Sequence, residues 1–179
     1  MTHLRPARRE DLPALVSLID ASVRELSRGF YTPAQVASGL RYVFGPDTQL
    51  IDDGTYFVVE DGPALVASGG WSARRTLYGG DQSKSGPDPL LDPTSEPARI
   101  RAFFVDPAHA RQGLGRRIFE RCVQDARASG FTALELMATL PGEPLYRALG
   151  FEALSSEAAA LPDGETLPMV HMRLELGAR

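Results

Sequence analysis

Residues 99–128 contain the feature that most restricts how this 179-residue chain can fold. A β-rich run, RIRAFFV, leads into the basic loop DPAHARQGLGRR, and the amphipathic pattern of a helix follows. Gly113 and Gly115 stand where the loop enters the helix. Small residues there let an anion approach backbone N–H groups that lack an intrahelical acceptor, at the positive end of the helix dipole. The segment therefore predicts a strand, an anion-binding loop and a helix in direct succession.

The glycine pair by itself allows two interpretations. Gly113 and Gly115 could simply permit a tight turn and close packing, and Ile118 stands where a dinucleotide-binding fingerprint has its third glycine. Arg111 and Arg116 flank the pair, however, and guanidinium groups donate bidentate hydrogen bonds to phosphate oxygens. Together, the strand, the basic loop, the glycines and the helix favour a phosphate site over a plain turn.

Composition limits the class of protein. The length suits one domain with a substantial core, and we predict a single domain over residues 1–179. The formal net charge of −4 argues against a nucleic-acid partner. The chain also lacks the ~18 consecutive apolar residues of a membrane span, so no membrane partner is expected. A single cysteine, Cys122, excludes an intramolecular disulfide, and we expect a cytoplasmic protein.

Hydrophobic periodicity predicts strands and helices along the rest of the chain. The expected strands are 2–7, 54–62, 64–71, 99–105, 132–138, one beginning at Phe151 and one at 168–176. The expected helices are 9–27, one opening at Thr32 with a capping box, one after Gly113 and one at 143–149. The helix after Gly113 should bury Leu114, Ile118, Cys122 and Ala126 and expose Arg116, Arg117, Arg121 and Arg127.

Residues 76–97 interrupt this pattern. The segment is rich in Gly, Pro, Ser and Asp and has no periodicity. A stretch of this length inside a compact domain is usually a functional loop or a disordered one. Trp71, Arg74 and Arg75 precede this segment and Tyr78 lies at its start; the four could form part of an acceptor pocket or only the exposed end of a hairpin.

Two motifs give the sequence a family resemblance. IRAFFVDPAHARQGLGRRIFE, followed downstream by LYRALGF, resembles the GNAT acetyltransferase superfamily, and the order of strands and helices is similar over nearly the whole chain. The resemblance implies an α/β (α+β) fold with a mixed, mostly antiparallel central sheet of six to seven strands. It further implies that helices flank this sheet and that the sheet is splayed at the strand that binds the cofactor.

The resemblance also implies acetyl-CoA as cosubstrate. Phe103, Phe104 and Val105 would bind the pantetheine arm, and a backbone N–H of this segment would stabilise the oxyanion. The loop would hold the pyrophosphate on Arg111, Gln112, Gly113, Leu114, Gly115 and Arg116. Ala110 departs from the family pattern, which often has Gln or Arg there, and Arg111 or Gln112 could make the corresponding contact. The three histidines are scattered, so no metal site is expected.

Acetyl transfer to an amine requires removal of a proton from the amine, donors for the oxyanion and an acid for the leaving thiolate. The resemblance implies that the Tyr146 hydroxyl, four residues before Gly150, is this acid. The sequence does not single out the base that removes the amine proton. Glu96 is our candidate because it lies just before the cofactor strand, with Glu60, Glu135 and a water chain as alternatives.

We therefore predict an N-acyltransferase that moves an acetyl group from acetyl-CoA directly to a small primary amine in a ternary complex. A non-catalytic acyl-CoA-binding module and a dinucleotide-binding domain are the alternatives, and formation of a homodimer is left open. Arg74 and Arg75 would suit an acceptor that carries a carboxylate. A cationic amine would instead suit the acidic residues Glu25, Asp47, Asp52 and Asp53.

Overall fold

The computed structural model describes residues 1–177. The last two residues of the predicted 1–179 domain, Ala178 and Arg179, lie outside the described residues. The strands are β1 Thr2–Pro6, β2 Tyr56–Asp61, β3 Ala64–Ser72, β4 Ala98–Val105, β5 Ala133–Thr139, β6 Glu152–Ala160 and β7 Thr166–Glu175. The helices are α1 Leu12–Leu26, α2 Pro33–Tyr42, α3 Thr48–Asp52, α4 Leu114–Ala128 and α5 Glu143–Ala148.

All seven strands form one sheet in the order β1-β2-β3-β4-β5-β7-β6. Neighbouring strands are antiparallel except β4 and β5, which run parallel. This arrangement confirms the predicted mixed, mostly antiparallel sheet. Short α3 was not predicted from the sequence. Within residues 1–177, no helix is long and apolar enough to span a membrane.

The parallel strands β4 and β5 separate soon after they begin. They pair only at Ala98 with Leu134 and at Arg99 with Glu135, and the remainder of each strand has no partner across this gap. Because parallel strands point the same way, the gap widens toward their carboxyl ends. The predicted splay at the cofactor strand is therefore confirmed, and it leaves backbone hydrogen-bonding groups of β4 free to meet a ligand.

A β-bulge lies where β4 leaves its partner. The β3–β4 register shifts between Ser68 and Gly70, so that two residues of β4 oppose Gly69. Ala102 has a left-handed φ of +56°, and its carbonyl accepts a hydrogen bond of 2.8 Å from the Tyr56 hydroxyl. A Cβ on Gly69 would lie 2.5 Å from the Phe103 ring, so this glycine leaves the space that the ring occupies.

Helices pack on both faces of the sheet. Alternate residues of a strand point to opposite faces, and in β5 Leu136 packs with α4 while Met137 packs with the α1–α2 side. The helix α4 buries the four residues that its periodicity predicted, which are Leu114, Ile118, Cys122 and Ala126. The helix α2 begins with the predicted capping box, since Thr32 and Gln35 bond each other's backbone N–H groups.

The long segment 76–97 has a fixed position although it contains only one short 3₁₀ turn, Asp81–Ser83. Buried Arg101 donates to the carbonyl of Gly79 at 2.6 Å and pairs with Asp47 at 2.9 Å, and Lys84 pairs with the other Asp47 oxygen at 2.7 Å. Burial lowers the pKa of Arg101, and the Asp47 carboxylate opposes that shift. The hydrogen bond to the Gly79 carbonyl and the Lys84–Asp47 ion pair therefore tie the segment to the rest of the domain.

Candidate active site

A cavity of about 780 Å³ occupies the gap between β4 and β5. Its lining comes from both faces of the sheet: Leu114, Gly115 and Tyr146 stand on the α4–α5 side, and Val23 and Met169 stand on the α1–α2 side. The cavity therefore passes through the splay and connects the basic loop before α4 with the opposite face of the sheet. One continuous space of this kind can hold two substrates end to end.

The basic loop ends in a backbone arrangement suited to an anion. Arg111 and Gly113 both have left-handed φ angles, +61° and +79°, and Gly113 is the N-cap of α4. The first helical hydrogen bond runs from the Arg117 N–H to the Gly113 carbonyl. The preceding amides of Leu114, Gly115 and Arg116 therefore lack intrahelical acceptors and stand at the positive end of the helix dipole. These are the features of an anion site at a helix N-terminus.

Glycine stands at positions 113 and 115 for different structural reasons. A Cβ on Gly113 would have open space around it, so this residue leaves the mouth of the anion site unobstructed. A Cβ on Gly115 would lie 3.0 Å from Cδ2 of Leu145, so Gly115 lets α4 pack closely against α5. Gly115 therefore fits the interpretation of close packing, whereas Gly113 fits a tight turn through its positive φ and also leaves room for an anion.

The arginines of the loop and of α4 also divide into two groups. Arg111 and Arg116 line the cavity, are exposed, and form no ion pair within residues 1–177. Arg117 instead reaches Thr2 at 2.9 Å. Arg121 and Arg127, expected to be exposed, are partly buried: Arg121 lies over the Phe57 ring, and Arg127 bonds the Leu176 carbonyl. The prediction of exposure was wrong for these two because their long side chains cover neighbouring apolar surface.

Gln112 does not line the cavity. Its side-chain amide lies 3.5 Å from the carbonyl of Ala108, within the loop itself. Ala110 and Arg111 do line the cavity, but the methyl group of Ala110 cannot donate a hydrogen bond to an anion. Between Arg111 and Gln112, only Arg111 is therefore in a position to supply a polar side chain to this part of the cavity.

Phe103, Phe104 and Val105, to which the family resemblance assigns contacts with the pantetheine arm, line the cavity. The Asp106 N–H bonds the Val66 carbonyl of β3, and alternate residues direct their N–H groups to the same side. Phe104 therefore faces β3, whereas Phe103 and Val105 direct their N–H groups toward the gap. The Val105 N–H meets Ser22 Oγ at 3.3 Å, which leaves Phe103 as the candidate oxyanion donor.

Tyr146 stands in the wall of the same cavity. Its ring packs edge-on against Phe103 and Phe151, with centroid separations of 6.2 Å and 5.8 Å. The side chain is 8% exposed, and its hydroxyl makes no hydrogen bond to any other described residue. Burial raises the pKa of the Tyr146 hydroxyl, so the group stays protonated over the ordinary pH range. Such a hydroxyl is positioned to donate to a ligand in the cavity.

The structure does not bring Glu96 to this site. The Glu96 carboxylate pairs with Arg75 at 3.1 Å and accepts the Asp92 N–H at 2.7 Å, and the residue does not line the cavity. The alternatives Glu60 and Glu135 are likewise paired, with Arg5 and with Arg99. Glu96 is close to β4 in sequence, but it precedes the end of β4 that is still paired with β5. The gap that holds the cavity opens at the other end of the strand. The structure therefore gives no geometric support to Glu96 as the base.

Of the four residues expected at or just before the start of the long loop to surround the acceptor, only one lines the cavity. Trp71 is buried in the core, Arg74 pairs with Asp53 at 2.7 Å, and Arg75 pairs with Glu96. Tyr78 does line the cavity, and so do its loop neighbours Leu77, Gly79 and Gly80. Part of the loop 76–97 therefore forms a wall of the cavity.

Of the acidic residues suggested for a cationic acceptor, Glu25 alone lines the cavity, and its carboxylate pairs with Arg28 at 3.1 Å. Asp47 is buried against Arg101 and Lys84, whereas Asp52 and Asp53 pair with Arg9 and Arg74. Glu25 follows Ser22 by three residues on α1, and helical spacing puts both on one face. That spacing was the only sequence signal for its position.

Other reactive side chains do not converge here. Cys122 is 0% exposed, and burial raises the pKa of its thiol. In the described part of the chain, no group of three His, Cys, Asp or Glu side chains is placed to hold a metal ion.

Comparison with known proteins agrees with this arrangement. Solved structures with a similar fold include a GCN5-related N-acetyltransferase from Rhodopseudomonas palustris (17% identity, 98% of this chain and 96% of that chain, TM-score 0.72). The ribosomal-protein-S18-alanine N-acetyltransferase from Escherichia coli is also similar (19% identity, 100% and 96%, TM-score 0.60). A third is yncA from Salmonella typhimurium, solved with its cofactor acetyl-CoA (18% identity, 100% and 96%, TM-score 0.63). No curated protein sequence matches the chain.

The family comparison is more specific than these structural likenesses. The acetyltransferase (GNAT) family matches residues 21–151, which include the end of α1, the splayed strands, the loop before α4 and Tyr146. This range is well over half of the chain and contains both motifs from which the resemblance was recognised. The chain therefore belongs to the acetyltransferase (GNAT) family, and the expectation of an acetyltransferase is confirmed.

Proposed function

We propose that this enzyme transfers an acetyl group from acetyl-CoA to a primary amine by direct attack within a ternary complex. The observation that carries the proposal is the single cavity through the splay of β4 and β5. It joins an anion site at the start of α4 to the unpartnered hydroxyl of Tyr146 and continues to the opposite face of the sheet. Similar proteins solved with acetyl-CoA support this choice of cosubstrate.

The described residues suit the parts of acetyl-CoA. Amides of the first turn of α4 and the guanidinium groups of Arg111 and Arg116 would hold the pyrophosphate. The free edge of β4 would bond the pantetheine amides, and the Phe103 N–H would stabilise the oxyanion. When bound, acetyl-CoA supplies an activated acetyl group as a thioester. Holding it beside the amine removes much of the entropic barrier.

Tyr146 would stabilise the leaving sulfur. A thiol has a pKa of ~8.5, whereas the Tyr146 pKa is raised above its ordinary value of ~10. Complete proton transfer from this phenol to a thiolate is therefore uphill. We assign Tyr146 a hydrogen bond that strengthens as charge develops on sulfur, and the amine supplies the proton that finally neutralises the thiolate.

Direct transfer is favoured over a covalent acetyl-enzyme. The only cysteine, Cys122, is fully buried in the core, and its raised thiol pKa disfavours the nucleophilic thiolate. The amine itself has a pKa of ~10, and its small neutral fraction at moderately alkaline pH can enter the cavity from solvent. The rate should therefore rise with pH as that fraction grows.

Initial-rate kinetics test this mechanism. Varying the amine at several fixed concentrations of acetyl-CoA should give intersecting double-reciprocal lines, because both substrates must be bound before the reaction. The intact mass of the protein after incubation with acetyl-CoA alone should stay unchanged. Parallel lines together with an acetylated protein would contradict direct transfer. Absence of turnover with bound acetyl-CoA would favour the non-catalytic binding module instead.

A further inference from the structure

The side of the cavity remote from the anion loop is apolar. Its wall includes two exposed aromatic side chains, Phe30 after α1 and Tyr78 in the loop 76–97, which are 49% and 38% exposed. Large exposed apolar groups usually mark a contact surface when they cluster. The apolar residues at this end include Val23, Leu26, Phe30, Phe44, Leu77 and Tyr78.

The position of this wall is set by buried contacts. The Gly80 N–H bonds the Val43 carbonyl at 2.8 Å, and Arg101 holds the carbonyls of Thr76 and Gly79 on either side of Tyr78. Arg101 is itself 2% exposed and paired with Asp47. Leu77 and Tyr78 are therefore fixed over the cavity before any acceptor arrives, and preformed pockets lose less entropy on binding.

Charge at this end is sparse. Glu25 is the only carboxylate in the described lining of the cavity, and it pairs with Arg28 at 3.1 Å. The basic lining residues His109, Arg111 and Arg116 all belong to the loop before α4 or its first turn, and the Arg101 guanidinium pairs with Asp47. A charged group on the acceptor would thus meet only the Glu25–Arg28 pair, whose two charges already offset each other.

We infer that the acceptor is a small primary amine on an apolar body, aromatic or branched aliphatic, without a carboxylate beside the amine. The inference rests on the proposed N-acetyl transfer and specifies its substrate class. Phe30 and Tyr78 contact the apolar body, and the amine points through the splay toward Tyr146. Each additional charged group on the acceptor is left without a partner in this pocket.

A panel of amines tests the inference in the wild-type enzyme at saturating acetyl-CoA. Phenylethylamine and isopentylamine should show kcat/KM at least about tenfold above phenylalanine, putrescine and an alanyl peptide, because only the first two bury an apolar body without an unpaired charge. Phenylalanine is the sharpest comparison, since it adds only a carboxylate to phenylethylamine. Equal or better use of phenylalanine, putrescine or the peptide would overturn the inference.

Substitutions of the two aromatic residues test whether they bind the apolar body of the acceptor. Phe30→Ala and Tyr78→Ala should each raise KM for phenylethylamine by about tenfold, with a much smaller effect on KM for acetyl-CoA. Both side chains are exposed, so these variants should fold. The control is Leu154→Ala, which removes an exposed apolar side chain from β6, outside the cavity, and should change none of these constants.

The outcomes separate this inference from the proposed function. Preferential acetylation of charged amines, or an unchanged KM for phenylethylamine in both aromatic variants, would contradict the inference of an apolar acceptor. The proposed N-acetyl transfer would still stand. Acetylation of none of the amines, with acetyl-CoA bound normally, would contradict the proposed function and this inference together.

Discussion

Replacing Gly113 with glutamate should lower the affinity for acetyl-CoA by roughly 100-fold or more. A side chain at this position projects into the open space at the mouth of the anion site, and the new carboxylate would repel a pyrophosphate. Two displaced charge-assisted hydrogen bonds would cost about 3–6 kcal/mol, and each 1.4 kcal/mol is a factor of ten. The fold should survive, because position 113 is exposed.

The matched control for this variant is Gly54→Glu. Gly54 has a similar φ of +73°, and its Cβ would also meet nothing within 4 Å, but it lies outside the cavity. Both variants should lose a similar ~1–2 kcal/mol of stability from the left-handed backbone. Calorimetric titration with acetyl-CoA should show reduced affinity in Gly113→Glu alone. Equal affinities in the two variants would show that the start of α4 does not bind the pyrophosphate.

Tyr146→Phe should lower kcat on the order of 100-fold while the dissociation constant of acetyl-CoA stays the same. Hydrogen-bond and acid catalysis by one side chain contributes about 10²–10⁴-fold, and this substitution deletes only the donor. The hydroxyl has no partner among the described residues, and the ring keeps its contacts with Phe103 and Phe151. Neither stability nor cofactor packing should therefore change.

Tyr42→Phe is the corresponding control, since Tyr42 lies outside the cavity. Stopped-flow or steady-state turnover and acetyl-CoA titration should be measured on both variants. A full kcat in Tyr146→Phe would show that this hydroxyl has no part in the chemistry. A decrease in kcat that is matched by a decrease in acetyl-CoA affinity would indicate a binding role instead.

Local signals in the sequence were enough to predict the helices and the glycine loop that surround the site. The apolar stripe of α4, the capping box at Thr32 and the two glycines before α4 are all decided within a few residues of chain. Each of these features follows from helix periodicity or from an unsatisfied helix end. The splay itself came from the family resemblance and not from any local pattern.

Features that depend on distant contacts could not be predicted. Ala102 has a left-handed φ although neither glycine nor asparagine stands there, because Tyr56 and the β3 strand hold the bulge. Asp47 and Arg101 are 54 positions apart, and nothing near either residue indicates that they pair. Contacts of this kind are settled by tertiary packing, so Tyr78 could be suggested as a wall residue but not distinguished from Arg74 beside it.

Glu96 illustrates the same limit for catalysis. A carboxylate becomes a base only if it reaches the substrate, and the Glu96 carboxylate instead bonds Arg75 and the Asp92 amide. Glu25 reaches the cavity from α1, a helix whose periodic pattern indicated packing and not a site.

The most direct test of the central claim is the stoichiometry of thiol release and amide formation in one reaction. Wild-type enzyme with acetyl-CoA and phenylethylamine should release one free thiol for each N-acetylated amine found by mass spectrometry, and omission of the amine should abolish the release. Thiol release that is independent of every amine tested, without an acetylated product, would contradict N-acetyl transfer in this cavity.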